Sequence, residues 1–223
     1  AEYLASTMAK LNYDAGVSEK TLLLHGRTYY QNKALMLYWT NSGFTFNFEG
    51  TGATAHMTAS SIAENVRGYV NVYVDGALTP TKTICLDKAD GDYVLAEGLE
   101  AGKHTIEVRK RNEANYGGSA TIGVSEIAIA DGEFLAPPEA AERRIEVIGD
   151  SITSGFGNLI TNGQGNYTSS TVEGTMTYAA LTGKAFGAEA NILSRSGIRF
   201  VYSNPELDKV DSWYQHYGNT ATL

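Results

Sequence analysis

The chain is short of cysteine, histidine, proline and long apolar runs, and each shortage removes a class of explanation. Cys85 is the only cysteine of 223 residues, so no intrachain disulfide can form. Within Thr83–Ile84–Cys85–Leu86 it reads as a small buried residue of a strand. The four histidines are scattered and give no metal-ligand spacing, so no metal is expected. There is neither a Gly-x-x-x-x-Gly-Lys phosphate loop nor a Gly-x-Ser-x-Gly elbow, and no cofactor is expected. No apolar run nears the ~20 residues of a membrane-spanning helix; the richest, Ala34 to Trp39, is far shorter. A net charge of −8 and a pI near 5.0 argue against nucleic acid, which needs a basic patch to displace counterions. The first residues hold no basic segment followed by an apolar core, so no signal peptide is visible in this sequence.

What the chain does have is two periodicities. From about Thr21 to Leu135 apolar residues alternate with polar ones, the mark of half-buried antiparallel strands. Phe44, Phe46 and Phe48 share one face; Val70, Val72 and Val74 repeat the pattern before an Asp75–Gly76 turn. Ile106 and Val108, then Ile122 and Val124, continue it. Many short strands between turn residues predict a β-sandwich or jelly roll. Arg109–Lys110–Arg111 reads as a solvated basic face, and His104 as structural. Tyr29, Tyr30, Tyr38 and Trp39 suit sugar stacking or core packing equally.

Ala136–Pro137–Pro138–Glu139 reads as a junction, because proline cannot continue a ladder. Beyond it the pattern becomes strand–helix–strand. Ile145, Val147 and Ile148 read as a buried strand; Tyr178, Leu181 and Ala185 recur at helical spacing before Gly187; Ala190 to Leu193 reads as a second buried strand. This order begins an α/β fold with a parallel sheet. The expected organisation is a sandwich over 1–136 (its first ~20 residues least defined), a linker over 137–142, and an incomplete α/β domain over 143–223.

The richest stretch is Arg144 to Gly155. Gly149 ends a strand, and Gly149–Asp150–Ser151 forms a tight turn into a helix. A hydroxyl beside free N–H groups at a helix start supplies a nucleophile and part of an oxyanion hole. Ser151 or Thr153 acting as a simple helix cap is the plainer alternative. Ser194–Arg195–Ser196–Gly197 follows the second strand, where a glycine N–H can approach a ligand at the sheet's carboxyl edge.

On these residues the chain resembles the SGNH, or GDSL-type, hydrolases. Gly149–Asp150–Ser151–Ile152–Thr153 is similar to their first block and Gly197 to their second. The sandwich ahead of them narrows the resemblance to family two of the carbohydrate esterases. Leu24–His25–Gly26–Arg27, Trp39–Thr40–Asn41–Ser42–Gly43–Phe44, Gly102–Lys103–His104–Thr105–Ile106, Lys110–Arg111 and Thr177–Tyr178–Ala179–Ala180–Leu181 add to it. The resemblance implies Ser151 as nucleophile, the N–H groups of Ser151 and Gly197 as oxyanion donors, and Gly149 and Asp150 as the turn that holds them. It implies acetylated polysaccharide of xylan or mannan type as partner, with neither membrane nor nucleic acid, and a secreted or cell-surface bacterial setting. The family's Gly-x-Asn-Asp and its base-bearing Asp-x-x-His are not in this sequence. They are expected from a further C-terminal segment or another chain, and residues 1–223 alone are expected to be inactive. His216 does not have the family's spacing. A non-catalytic carbohydrate-binding protein with a degenerate esterase half is the alternative, and a protein-interaction module a weaker third reading.

Overall fold

A computed structural model describes residues 9–12, 21–113, 120–161 and 167–197, the first of these by backbone alone. Twelve strands precede the proline-containing junction: β1 (Ala9–Asn12), β2 (Leu23–His25), β3 (Thr28–Gln31), β4 (Ala34–Leu37), β5 (Gly43–Gly50), β6 (Gly52–Ala59), β7 (Tyr69–Val74), β8 (Lys82–Cys85), β9 (Asp90–Ala96), β10 (Gly102–Lys110), β11 (Ile122–Ala130) and β12 (Glu133–Phe134). They form two six-stranded antiparallel sheets. One has the order β3-β4-β11-β6-β9, with β1 on β11; the other is β12-β5-β10-β7-β8, with β2 on β5. This is the expected sandwich.

The alternating residues close its core. Phe44, Phe46, Phe48, Val70, Val72, Ile106, Val108, Ile122 and Val124 are all fully buried. The three phenylalanines stack along β5, with ring centroids 6.2 and 5.7 Å apart. Asp75 and Gly76 both take positive φ, and Ala77 N–H donates to Val74 O at 3.1 Å, so the predicted turn is of the mirror-image type. Cys85 is half-buried, not buried: Ile84 holds the inward position of β8.

After the prolines come β13 (Arg143–Gly149), a short helix α1 (Ser151–Ser154), a longer helix α2 (Tyr178–Ala185) and β14 (Ala188–Ser194). β13 and β14 pair in parallel, Gly149 opposite Ser194. One expectation needs correction. β13 is not a buried strand: Ile145 and Val147 are half-covered and Ile148 is 48% exposed, because among the described residues β13 has a partner on one edge only. The helical spacing of Tyr178, Leu181 and Ala185 is borne out by α2, and these three residues face outward. The buried face of α2 is Ala179, Ala180 and Gly183, since the helix lies so close to β14 that a Cβ on Gly183 would stand 2.8 Å from Ala190 Cβ. Small residues there permit close approach. Among the described residues no helix is long and apolar enough to cross a membrane.

Candidate active site

The two strands of the parallel sheet end side by side, and Ser151 and Gly197 stand just beyond their carboxyl ends. Gly149 has no room for a side chain, since a Cβ would meet Thr153 Oγ1 at 2.0 Å. Asp150 takes the N-cap position: its carboxylate accepts from Ile152 N–H at 3.0 Å. The other hydroxyls of α1 are engaged. Thr153 Oγ1 pairs with Tyr178 Oη at 2.9 Å, and Ser154 Oγ donates to Glu113 at 3.1 Å and to Asp150 O at 3.1 Å. Ser151 differs from both. Half-exposed, it makes no hydrogen bond through its hydroxyl or N–H with another described residue. The helix is capped by Asp150, so Ser151 is not needed for that purpose.

Gly155 closes α1 with φ of +79°, and a Cβ there would lie 2.3 Å from Glu173 O. Only glycine fits this C-cap. Gly197 likewise has a positive φ, +84°, and is exposed. Its N–H has no partner among the described residues. His216 and the rest of 198–223 lie outside the described residues.

The site is carried on a polar seam between sandwich and α/β unit. His25 Nδ1 bonds Glu189 at 2.9 Å, Gly26 N–H donates to the same carboxylate at 3.1 Å, and Arg109 reaches both its oxygens at 3.2 and 3.3 Å. Burial alone would raise the Glu189 pKa, but His25 and Arg109 outweigh it and hold the carboxyl down at about 2. Burial, seconded by Arg109, pushes the His25 pKa below its ordinary value, so the ring is neutral at pH 7. Arg111 donates to Val172 O at 2.8 Å and lies 3.7 Å from Glu173, whose carboxylate also accepts from Asn71 at 3.1 Å. Burial presses Lys110 to about 7.

The basic run Arg109–Lys110–Arg111 is therefore no solvated face. Lys110 and Arg111 are 0 and 7% exposed: Arg109 and Arg111 meet Glu189 and Glu173 of the α/β unit, while Lys110 lies on the inner face of β10 with Ile106 and Val108 and bonds Asn112 O. Tyr38 and Trp39 pack with Leu193 across the same seam. Several segments that carry the family resemblance, 24–27, 39–44, 110–111, 177–181 and 194–197, contribute to this region although they are distant in sequence. Glu113, Glu173 and Glu189, which complete it, had no motif to mark them. A cleft of about 320 Å³ along the seam is lined by Tyr73, Leu78, Arg109, Met176, Lys184 and Glu189. Arg109 is already paired with Glu107 and Glu189 and Lys184 donates to Leu78 O at 3.0 Å, and the cleft does not include Ser151.

Comparison with known proteins follows the same lines. Residues 24–138 match the family described as carbohydrate esterase 2 N-terminal. The chain is 34% identical over 160 residues to "Cellulase/esterase CelE" of Acetivibrio thermocellus, covering 72% of this chain and 18% of that protein. It is 25% identical over 191 residues to an "Acetylxylan esterase / glucomannan deacetylase" of Cellvibrio japonicus, covering 83% of this chain and 49% of that one. A solved family two carbohydrate esterase from Clostridium thermocellum, in complex with cellohexaose, superposes with a TM-score of 0.77 at 27% identity, over 87% of this chain and 58% of that chain. The chain thus spans about half or less of the curated relatives it matches. With more than half of its residues under the family model, and the sandwich-plus-parallel-sheet architecture of its solved neighbours, this chain belongs to family two of the carbohydrate esterases.

Proposed function

We propose that the chain carries the nucleophile side of a carbohydrate O-acetyl esterase, acting on acetylated plant polysaccharides of xylan or mannan type. The observation that carries this reading is the contrast within one helix turn: Thr153 and Ser154 are hydrogen-bonded, Asp150 supplies the cap, and the Ser151 hydroxyl and N–H are left without a partner among the described residues. In the reaction, Ser151 Oγ attacks the acetyl carbonyl carbon and gives its proton to a general base. The N–H groups of Ser151 and Gly197 take the charge that develops on the carbonyl oxygen. The ester C–O bond then breaks, the sugar oxygen leaves as a protonated hydroxyl, and the acetyl group stays on Ser151. Water attacks that acyl-enzyme, releasing acetate and restoring the serine. The family's base motif, Asp-x-x-His, is not in residues 1–223, so the base comes from residues outside this sequence.

Domain roles follow: residues up to 136 as sandwich, 137–142 as linker, and the region from 143 onward as catalytic unit. A polymer substrate of this kind cannot enter a cell, which places the protein outside it, secreted or at the surface. The missing base motif is also what favours a second reading, a carbohydrate-binding protein without turnover. Acetate release from acetylated xylan or acetylated glucomannan by the complete gene product decides between them. Release supports the esterase; polysaccharide binding with no acetate released supports the binding protein.

A further inference from the structure

Glu113 belongs to the sandwich by chain position, in the segment that runs on from β10, yet its side chain ends at the active site. It is 2% exposed. Its Oε2 accepts two hydrogen bonds at once, from Ser154 Oγ at 3.1 Å and from Ser196 N–H at 2.7 Å. Ser154 closes the turn that begins with Ser151, and Ser196 is the residue immediately before Gly197. One carboxylate oxygen thus joins the two loops that carry the nucleophile and the second oxyanion donor. Its backbone approach is equally constrained: Arg111 N–H donates to Tyr69 O at 2.8 Å, Gly174 N–H to Arg111 O at 2.7 Å, and Tyr69 N–H to Asn112 Oδ1 at 2.9 Å. Glu113 is therefore held from behind by the sandwich sheet and by the loop after α1.

The arrangement is costly for stability alone. Glu113 Oε1 is buried and has no hydrogen-bond partner among the described residues. A buried, half-satisfied carboxylate is worse than an apolar side chain of the same size. The nearby buried Lys110 offsets part of that cost by its charge. What the carboxylate provides, and an apolar residue would not, is a fixed polar link between the two loops, beside the bond from Arg195 N–H to Gly149 O at 3.1 Å.

We propose that Glu113 is a positioning residue for acyl transfer: it sets the spacing between Ser151 and the Gly197 N–H, so that the sandwich is part of the oxyanion hole's scaffold. This rests on the esterase reading above. An oxyanion donor contributes only when it lies at hydrogen-bond distance from where the charge develops, and a displacement near 1 Å costs about 10²-fold in rate.

The test uses the complete gene product with 4-nitrophenyl acetate. Glu113→Ala lowers kcat by about 10²-fold while KM stays within about threefold, since positioning acts in the transition state. Glu113→Gln keeps a carbonyl acceptor in place and recovers most of the loss. Ser154→Ala, which removes one of the two tethers without touching the sandwich, gives a smaller fall and covers the case in which Glu113→Ala fails to fold. A kcat for Glu113→Ala within twofold of wild type, or a raised KM with kcat unchanged, overturns the proposal. If the wild-type protein itself hydrolyses no acetyl ester, the esterase reading fails separately. The tether is then read from hydrogen exchange at the Ser196 amide, expected to quicken at least tenfold in Glu113→Ala; unchanged exchange overturns it.

Discussion

The sandwich and the α/β unit are built on opposite principles. The sandwich closes on itself: two sheets face each other over a core of phenylalanine and branched aliphatic side chains, nearly all at zero exposure. The α/β unit has a small core of Ala179, Ala180, Ala190 and Ile192, and presents Ile148, Ile152, Leu181 and Phe186 to the outside. Its position comes instead from carboxylates: Glu189 and Glu173 reach into the sandwich, and Glu113 reaches out of it. The sandwich is therefore more than an appendage. It supplies most of the apolar stability and also the cations and amides against which the α/β unit is set.

Substitutions can break this comparison in graded steps. Phe46→Ala removes a fully buried ring between Phe44 and Phe48 and is expected to cost about 3–5 kcal/mol in urea unfolding, with both units lost together. Gly155→Ala forces a side chain into a positive-φ position against Glu173 O and costs roughly 3 kcal/mol, the loss appearing first around α1. Glu189→Gln keeps the shape but strips Arg109 of one of its two carboxylates; on the order of 2 kcal/mol is expected, leaving the sandwich core's hydrogen-exchange protection intact. Leu78→Ser, at an 80% exposed position, should change stability by less than about 0.5 kcal/mol.

Acid sharpens the same contrast. His25 has a folded pKa below its ordinary 6.5, so below that pH the unfolded chain binds a proton that the buried ring refuses, and stability falls. Glu189, held at about 2 against 4.5, adds a second loss as the pH drops through that interval. Lys110, at about 7 against 10.5, works in the same direction at higher pH. All three sit at the seam. His56 and His104, held above 6.5 by hydrogen bonds to Asp92 and to Glu100 O, work the other way. With both replaced by Gln, the thermal unfolding midpoint should fall as the pH goes from 9 to 4, and a midpoint rising over that range contradicts the charge assignments.

Sequence periodicity made the sandwich legible because each strand buries one face against an apolar sheet, and period two records that directly. It would have corrected one misreading as well. Lys110 is in phase with Ile106 and Val108, so the alternation places it inward although it stands in a basic run. The Gly149–Asp150–Ser151 turn was visible because its steric limits leave few residue choices. Helical spacing marked α2 but not its buried face, because small residues, not bulky ones, line a helix that must approach a strand closely. Glu113, Glu173 and Glu189 were invisible for a different reason. Their partners across the seam lie 41 to 164 residues away in sequence, and no local pattern records a pairing made by the fold.

The most direct measurement is the initial rate of 4-nitrophenyl acetate hydrolysis by the complete gene product and its Ser151→Ala variant. Hydrolysis by the wild type and a loss of at least about 10³-fold in the variant, with the same unfolding midpoint, are expected. An undiminished rate in Ser151→Ala would contradict the esterase reading, because the one unengaged hydroxyl of the turn would then have no part in the reaction.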